Sequence, residues 1–216
     1  WKTTQPFKVT HAERGVVETE ASGTFGGLPM TVKTRTEYDG YTVVRITMDP
    51  KTKTTVSDLQ LALPLAENPD TVMVVGASGR LPDYLGTFPE GDGVLWGSYE
   101  NLPNGPGIQG KYIASAYLGN GERGLAYTCW SDQGWILDDS KDTADMRRVN
   151  GIAQLMIHLA NTSRSIDKPR TLTFALQATP VRPLTPGYRR DTGSLSRAHL
   201  PPNYEFKDTA SIRTGW

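Results

Sequence analysis

The feature that most limits this chain is an alternation of apolar and polar residues with a period of two, the repeat of a strand with one buried face. It is clearest in "MTVKTRTEYDGYTVVRITMDP", residues 30–50, where Val32, Val43, Ile46 and Met48 are among the apolar positions and Lys33, Arg35 and Arg45 among the polar ones. The Asp39-Gly40 pair between the two runs predicts a hairpin, because glycine reaches positive φ without steric cost. The same rhythm predicts strands in "FKVTHA", "GVVETEA", "SDLQLALPL", "TVMVVGA", "YIASAYLG", "GLAYTCWS", "GWILDD", "IAQLMIHLA" and "RTLTFALQATP". No stretch of a dozen residues carries a helical stripe, and the best candidate, "GIAQLMIHLAN", reads equally as a buried strand. Strands punctuated by Gly and Pro mean a sandwich or barrel, and the expected fold is all-β, an antiparallel β-sandwich.

Two regions break the rhythm. Residues 79–110 are dense in Gly and Pro yet include Tyr84, Phe88, Trp96 and Tyr99. That mixture suits neither a strand nor a disordered linker, so a long ordered loop is expected there, and such loops often carry function. From Pro180 onward the text is Pro-rich and basic without a core pattern, which suits a segment laid along a neighbouring domain. The expected division is a sandwich over residues 1–186 and an irregular exit segment over 187–216.

Charge and composition exclude several classes. Lys and Arg total 23, equal to Asp and Glu, so no net field gathers phosphates and nucleic acid is not an expected partner. The longest apolar runs, "LQLALPL" and "TVMVVG", fall far short of the roughly 20 residues a membrane helix needs, and no membrane partner is expected. Cys129 is the one cysteine, which excludes an intramolecular disulfide and a Cys-based zinc site and is read as a buried, inert thiol. His11, His158 and His199 lie far apart, outside the spacing of metal-binding motifs, so neither a metal nor a cofactor is expected. "GASGR" and "GNGERG" are turns without the helix a phosphate loop needs, and no serine has a GxSxG context.

Paired carboxyl groups are equally scarce. Asp138 and Asp139 are neighbours, so as extended residues they point to opposite faces and cannot form the pair that glycoside hydrolysis requires. The run "DDSKDTAD" lacks the Gly at position six and the Glu at position twelve of a calcium loop, and is read as a solvated hairpin. No catalytic residue is assigned. What remains is aromatic: Trp and Tyr faces stack on sugar rings while polar neighbours bond the hydroxyls. The candidate carbohydrate-binding residues are Trp96, Tyr99, Trp130, Asp132 and Trp135. Core packing competes with that role and is the stronger reading for Trp130.

At these residues "YLGNGERGLAYTCWSDQGWILDD" (117–139), followed by "DKPRTLTFALQATPVRPL" (167–184), resembles the region leading into the catalytic barrel of bacterial proteins similar to glycoside hydrolase family 123. The resemblance is best over about residues 110–186 and fainter in "EYDGYTVVRITMDP". It implies a β-sandwich that precedes a (β/α)₈ barrel, the barrel carrying an adjacent Asp-Glu pair that cleaves N-acetyl-galactosaminides. This chain contains no Asp-Glu dipeptide and stops at "SIRTGW", about where that barrel would begin, so no catalytic residue carries over. The implied role is a non-catalytic accessory domain that buttresses the barrel and helps shape its sugar cleft, within a secreted or periplasmic protein. Expected partners are carbohydrate and the parent's catalytic domain. Two other readings stay open: a stand-alone glycosidase with acids converging from separate strands, such as Asp83, Asp132 or Asp138, and a structural module whose strand edges pair with copies of itself as a homo-oligomer.

Overall fold

A computed structural model describes residues 1–65, 69–76, 84–98, 113–120, 123–138 and 140–180, all within one unit, Trp1–Arg182. Every regular element among them is a strand. In chain order these are β1 (Lys2–Glu13), β2 (Val16–Phe25), β3 (Leu28–Glu37), β4 (Thr42–Met48), β5 (Thr54–Val56), β6 (Leu59–Pro64), β7 (Thr71–Gly76) and β8 (Tyr84–Gly86). There follow β9 (Gly93–Gly97), β10 (Ile113–Gly119), β11 (Gly124–Thr128), β12 (Ala144–Val149), β13 (Ile152–Ala160), β14 (Arg164–Ile166) and β15 (Arg170–Thr179). The expected all-β antiparallel architecture is what these residues form.

Nine strands make a large sheet in the order β1-β2-β3-β4-β15-β11-β10-β7-β8, and four make a small one in the order β6-β13-β12-β9, with β14 and β5 paired apart. One apolar core joins the two sheets. Met30, Ile46, Met48, Leu118, Tyr127, Leu172 and Phe174 enter it from the large sheet, and Leu63, Trp96, Met146, Leu155 and Ile157 from the small one. Each such side chain gains about 1.5–3 kcal/mol by leaving water. The Asp39-Gly40 hairpin forms as the sequence predicts: Gly40 has φ +83°, its N–H donates to the Glu37 carbonyl at 2.9 Å, and the Tyr41 N–H donates to Asp39 Oδ1 at 3.0 Å.

"GIAQLMIHLAN" resolves as strand β13, paired with β12 on one side and β6 on the other. Its inward residues Ala153, Leu155, Ile157 and Leu159 are all buried, while its outward row mixes apolar Ile152 and Met156 with Gln154 and His158, so periodicity alone left it ambiguous. Two expectations are corrected. The glycine-rich stretch 79–110 is not all loop: β8 and β9 lie inside it, and β9 closes one edge of the small sheet by pairing with β12. An edge strand pairs along one side only, so glycines at its ends are tolerated there. "GWILDD" in turn is not a strand. Its one β-bridge among the described residues joins Ile136 to Ala160, because this segment carries the chain from the large sheet across to the small one.

The two sheets differ in width, and the excess shows at β1 and β2. All of β1 is exposed. Its register with β2 pairs Thr3 with Gly23, Val9 with Thr19 and Ala12 with Val17, while Lys8 pairs with Glu20 and His11 with Glu18. β2 continues the pattern onto β3, where Gly23 meets Met30 and Thr19 meets Thr34. Residues in cross-strand register share a face. The face on the core side therefore holds Thr3, Val9, Ala12, Val17, Thr19, Ala21, Gly23 and Phe25, none of them charged, whereas Lys8, His11, Glu18 and Glu20 lie on the reverse. Phe7 stands beside this face at an irregularity of β1 opposite Ala21, and Trp1 packs so closely on Gly23 that a Cβ there would strike its ring. Trp1, Phe7, Val9, Val17 and Phe25 are all exposed.

Phe174 is buried and packs on Tyr127 with ring centroids 5.8 Å apart. Phe174→Ala is expected to cost about 3–5 kcal/mol in urea unfolding, the usual loss for a truncated core aromatic.

Candidate functional site

The outer face of the large sheet, turned away from the core, brings an aromatic pair next to a charged array. Register places Arg35 opposite Val43 and Lys33 opposite Arg45, Val43 opposite Ala175 and Arg45 opposite Thr173, and Ala175 opposite Thr128. Beyond Thr128 the chain leaves β11, and Trp130 stands 55% exposed. Its ring meets Tyr41 edge-on, centroids 6.4 Å apart at 66°. Ala175 is buried although it lies on the outward-facing row.

The loop that carries Trp130 is pinned at several points. The Trp135 N–H donates to the Asp132 carbonyl at 3.0 Å, and the Gln133 N–H to Ser131 Oγ at 3.1 Å. Arg170 donates from Nε to the Gly134 carbonyl at 3.0 Å and from Nη2 to the Trp135 carbonyl at 3.1 Å. Gly134 has φ +89°, and a Cβ there would run into the Thr171 carbonyl, so only glycine lets the loop lie this close to β15. A pinned loop presents its aromatic with little ordering cost on binding.

A shallow groove of about 280 Å³ lies further along the same outer face, lined in part by Glu18, Glu20, Lys33, Arg35, Val43 and Arg45. Lys33 reaches Glu20 at 3.2 Å and Arg35 reaches Glu18 at 4.0 Å and also Glu37. Arg45 is exposed, and its guanidinium makes no ion pair or hydrogen bond among the described residues. Burial, with the carboxylates of Glu37 and Asp39, pushes the Tyr41 phenol above its ordinary range, so it stays a neutral hydroxyl able to donate to a ligand.

The sequence-predicted site residues do not converge on one place. Trp130 and Asp132 are exposed on the loop just described. The core reading favoured for Trp130 is corrected: β11 turns Tyr127 and Cys129 to the core and Thr128 outward, and Trp130, two residues beyond Thr128, continues on that outer side. Trp96 is 1% exposed and Trp135 4%; both belong to the core and offer no open ring face to a stacking sugar. Tyr99, Asp83, Asp139, His199 and the exit segment from residue 187 lie outside the described residues. Asp138 is held by Ser140 and Lys141. Cys129 is buried, and burial pushes its thiol up, which keeps it protonated as expected of an inert core cysteine.

Sequence reasoning missed two groups. Tyr41 could have been found from its place directly after the Asp39-Gly40 turn, beside a strand whose outer residues alternate with core ones. The second is a polar cluster on the small sheet, where the "solvated hairpin" of residues 138–145 ends in a carboxylate only 3% exposed, Asp145. Arg147 donates to it from Nε at 2.6 Å and also from Nη2, and His158 Nε2 lies 2.7 Å from its Oδ2. Burial pushes the Asp145 carboxyl up, yet the hydrogen bonds from His158 and Arg147 outweigh this and hold it below its ordinary value.

A folded pKa below the unfolded one means that the unfolded chain binds the proton more readily. The stabilisation is thus complete above the ordinary carboxylate range and is lost as acid takes the pH down toward the folded value. Asp145→Asn is expected to lower stability by about 3 kcal/mol at neutral pH. Urea unfolding followed from neutral pH into acid should show the gap between variant and parent protein closing.

Residues 1–132 match the family described as Glycoside hydrolase 123, third domain, more than half of the 216 residues and a span that includes Tyr41 and Trp130. That match begins well upstream of the region where the sequence resemblance is best. No curated protein gives a significant match. Among solved structures, HI1317 is similar at 8% identity and a TM-score of 0.42, over 80% of this chain and 65% of that one. A candidate aldose 1-epimerase from Escherichia coli K12 is similar at 8% identity and 0.40, over 80% and 68%. The chain spans 65% of the length of the first of these structures. With two antiparallel sheets around one core and a family match from Trp1 to Asp132, this chain belongs to the glycoside hydrolase 123 third-domain family.

Proposed function

We propose that this chain is a non-catalytic accessory domain of a glycoside-hydrolase-like protein, which scaffolds a neighbouring catalytic domain and meets carbohydrate through Trp130. The observation that carries the scaffold reading is the uncharged face of β1 and β2, with Trp1, Phe7, Val9, Val17 and Phe25 open to water. Contiguous apolar surface of this kind marks contact sites, and interfaces between domains of one polypeptide are of modest size. In the parent protein, Val9→Lys with Val17→Lys is expected to loosen the catalytic domain, read as its earlier thermal unfolding, while the melting of the isolated sandwich stays unchanged. Unchanged unfolding of the catalytic domain would remove the scaffold reading. The chain by itself is expected to release no product from aryl N-acetyl-hexosaminides; turnover abolished by one carboxylate substitution would make it an enzyme instead.

The carbohydrate part of the reading is favoured by Trp130, a large ring held open on a pinned loop beside a neutral phenol, with a polar groove further along the same face. Trp130→Ala is expected to weaken glycan binding by on the order of 1 kcal/mol while thermal unfolding stays unchanged. Equal glycan-array signals from both proteins would leave the scaffold role alone.

A further inference from the structure

We infer that the sugar met by Trp130 carries an anionic group, a carboxylate or a sulfate, and that Arg45 receives it. The inference rests on the carbohydrate reading above and names the class of ligand. Its first support is position. Thr173 pairs with Arg45, and the Cys129 thiol, next to Trp130 in the chain, reaches the Thr173 carbonyl at 3.6 Å. Arg45 and the backbone that bears Trp130 therefore flank the same residue of β15, two strand spacings or about 10 Å apart. The Trp130 ring leans toward Tyr41, so a sugar stacked on it and reaching along β4 over Val43 would bring a charged substituent toward Arg45.

The second support is charge. Within the groove Lys33 is matched by Glu20, and Arg35 by Glu18 and Glu37. Arg45 is the cation of this groove that the fold leaves unmatched among the described residues. The charges are also polarised along the β3–β4 hairpin: Glu37 and Asp39 sit at the Tyr41 end, Lys33 and Arg45 at the other. A ring stacked on Trp130 is oriented by this gradient, its anion toward Arg45 and its hydroxyls toward Tyr41 and the carboxylates. The guanidinium fork suits a carboxylate or a sulfate, taking two oxygens at once. A neutral sugar would make no use of that charge.

The experiment is calorimetric titration of the chain and of Arg45→Gln, Arg45→Lys and Trp130→Ala with three probes: a neutral chito-oligosaccharide, unsulfated chondroitin, which supplies carboxylate only, and chondroitin sulfate. Arg45→Gln is expected to weaken binding of one or both anionic probes roughly threefold to tenfold, to leave the neutral probe unchanged, and to reduce the loss of affinity on adding salt. Arg45→Lys should recover part of the loss. The arm that responds tells carboxylate from sulfate. If all three probes bind alike and Arg45→Gln changes nothing while Trp130→Ala weakens all, the inference is overturned and the aromatic platform stands. If no probe binds, the carbohydrate reading and this inference fall together. Thermal unfolding of each variant, expected to match the parent chain because both side chains are exposed, separates loss of binding from loss of fold.

Discussion

A sheet of nine strands cannot bury its whole inner face against a sheet of four. The apolar side chains of β3, β4, β15, β11, β10 and β7 meet partners from the small sheet, and the chain there is a closed sandwich with one core. β1 lies beyond that shelter and β2 only half within it, Thr19 and Gly23 buried but Val17 and Phe25 exposed. Their inner face has the size and shape of a strand face but not its full cover, and it is uncharged where the reverse face carries Lys8, Glu18 and Glu20. The unequal sheets thus divide the large sheet into strands whose inner face is covered and strands whose inner face is open to water.

The second organising element is the passage from β11 to β12. Over residues 129–143 the chain leaves the large sheet, touches the small one through the Ile136–Ala160 bridge, and turns under Asn161, whose side chain bonds the Asp138 N–H and the Asp138 and Asp142 carbonyls. Trp130 and Trp135 stand at the two ends of one tight turn within it, and they have opposite fates. Trp135 is drawn into the core as the chain crosses between the sheets, while Trp130, just past the end of β11 on the outer side of the large sheet, is left outside. Arg170 and Gly134 decide this: the arginine grips the carbonyls of residues 134 and 135, and the glycine permits the approach to Thr171.

Much of the fold is legible in the sequence because period-two text and an Asp-Gly turn are local signals. The β3–β4 hairpin, the strands β7 and β10, the start of β11 and the burial of Cys129 all follow from them. The small strands β5, β9, β12 and β14 are not legible. Three or six residues such as "TTV" or "ADMRRV" carry too few alternations to stand out, and β9 is hidden among glycines. The site was half legible for the same reason. Alternation sets Trp130 on the face of Thr128, but which face of β11 meets the core, and that Trp96 and Trp135 are drawn inward, is decided by the packing of the two sheets, a long-range event. Asp145 was read as surface charge because its partners Arg147 and His158 are chosen by register, which one strand alone does not reveal.

β1 carries one more consequence. Its pairing with β2 slips between Thr3 and Gln5, between Gln5 and Lys8, and between Val9 and His11, and Pro6, which has no N–H to offer, sits within the second slip. A strand arriving at the open side of β1 would find its ladder of donors and acceptors repeatedly out of step. The long rim of this sheet is therefore a poor template for fibril growth.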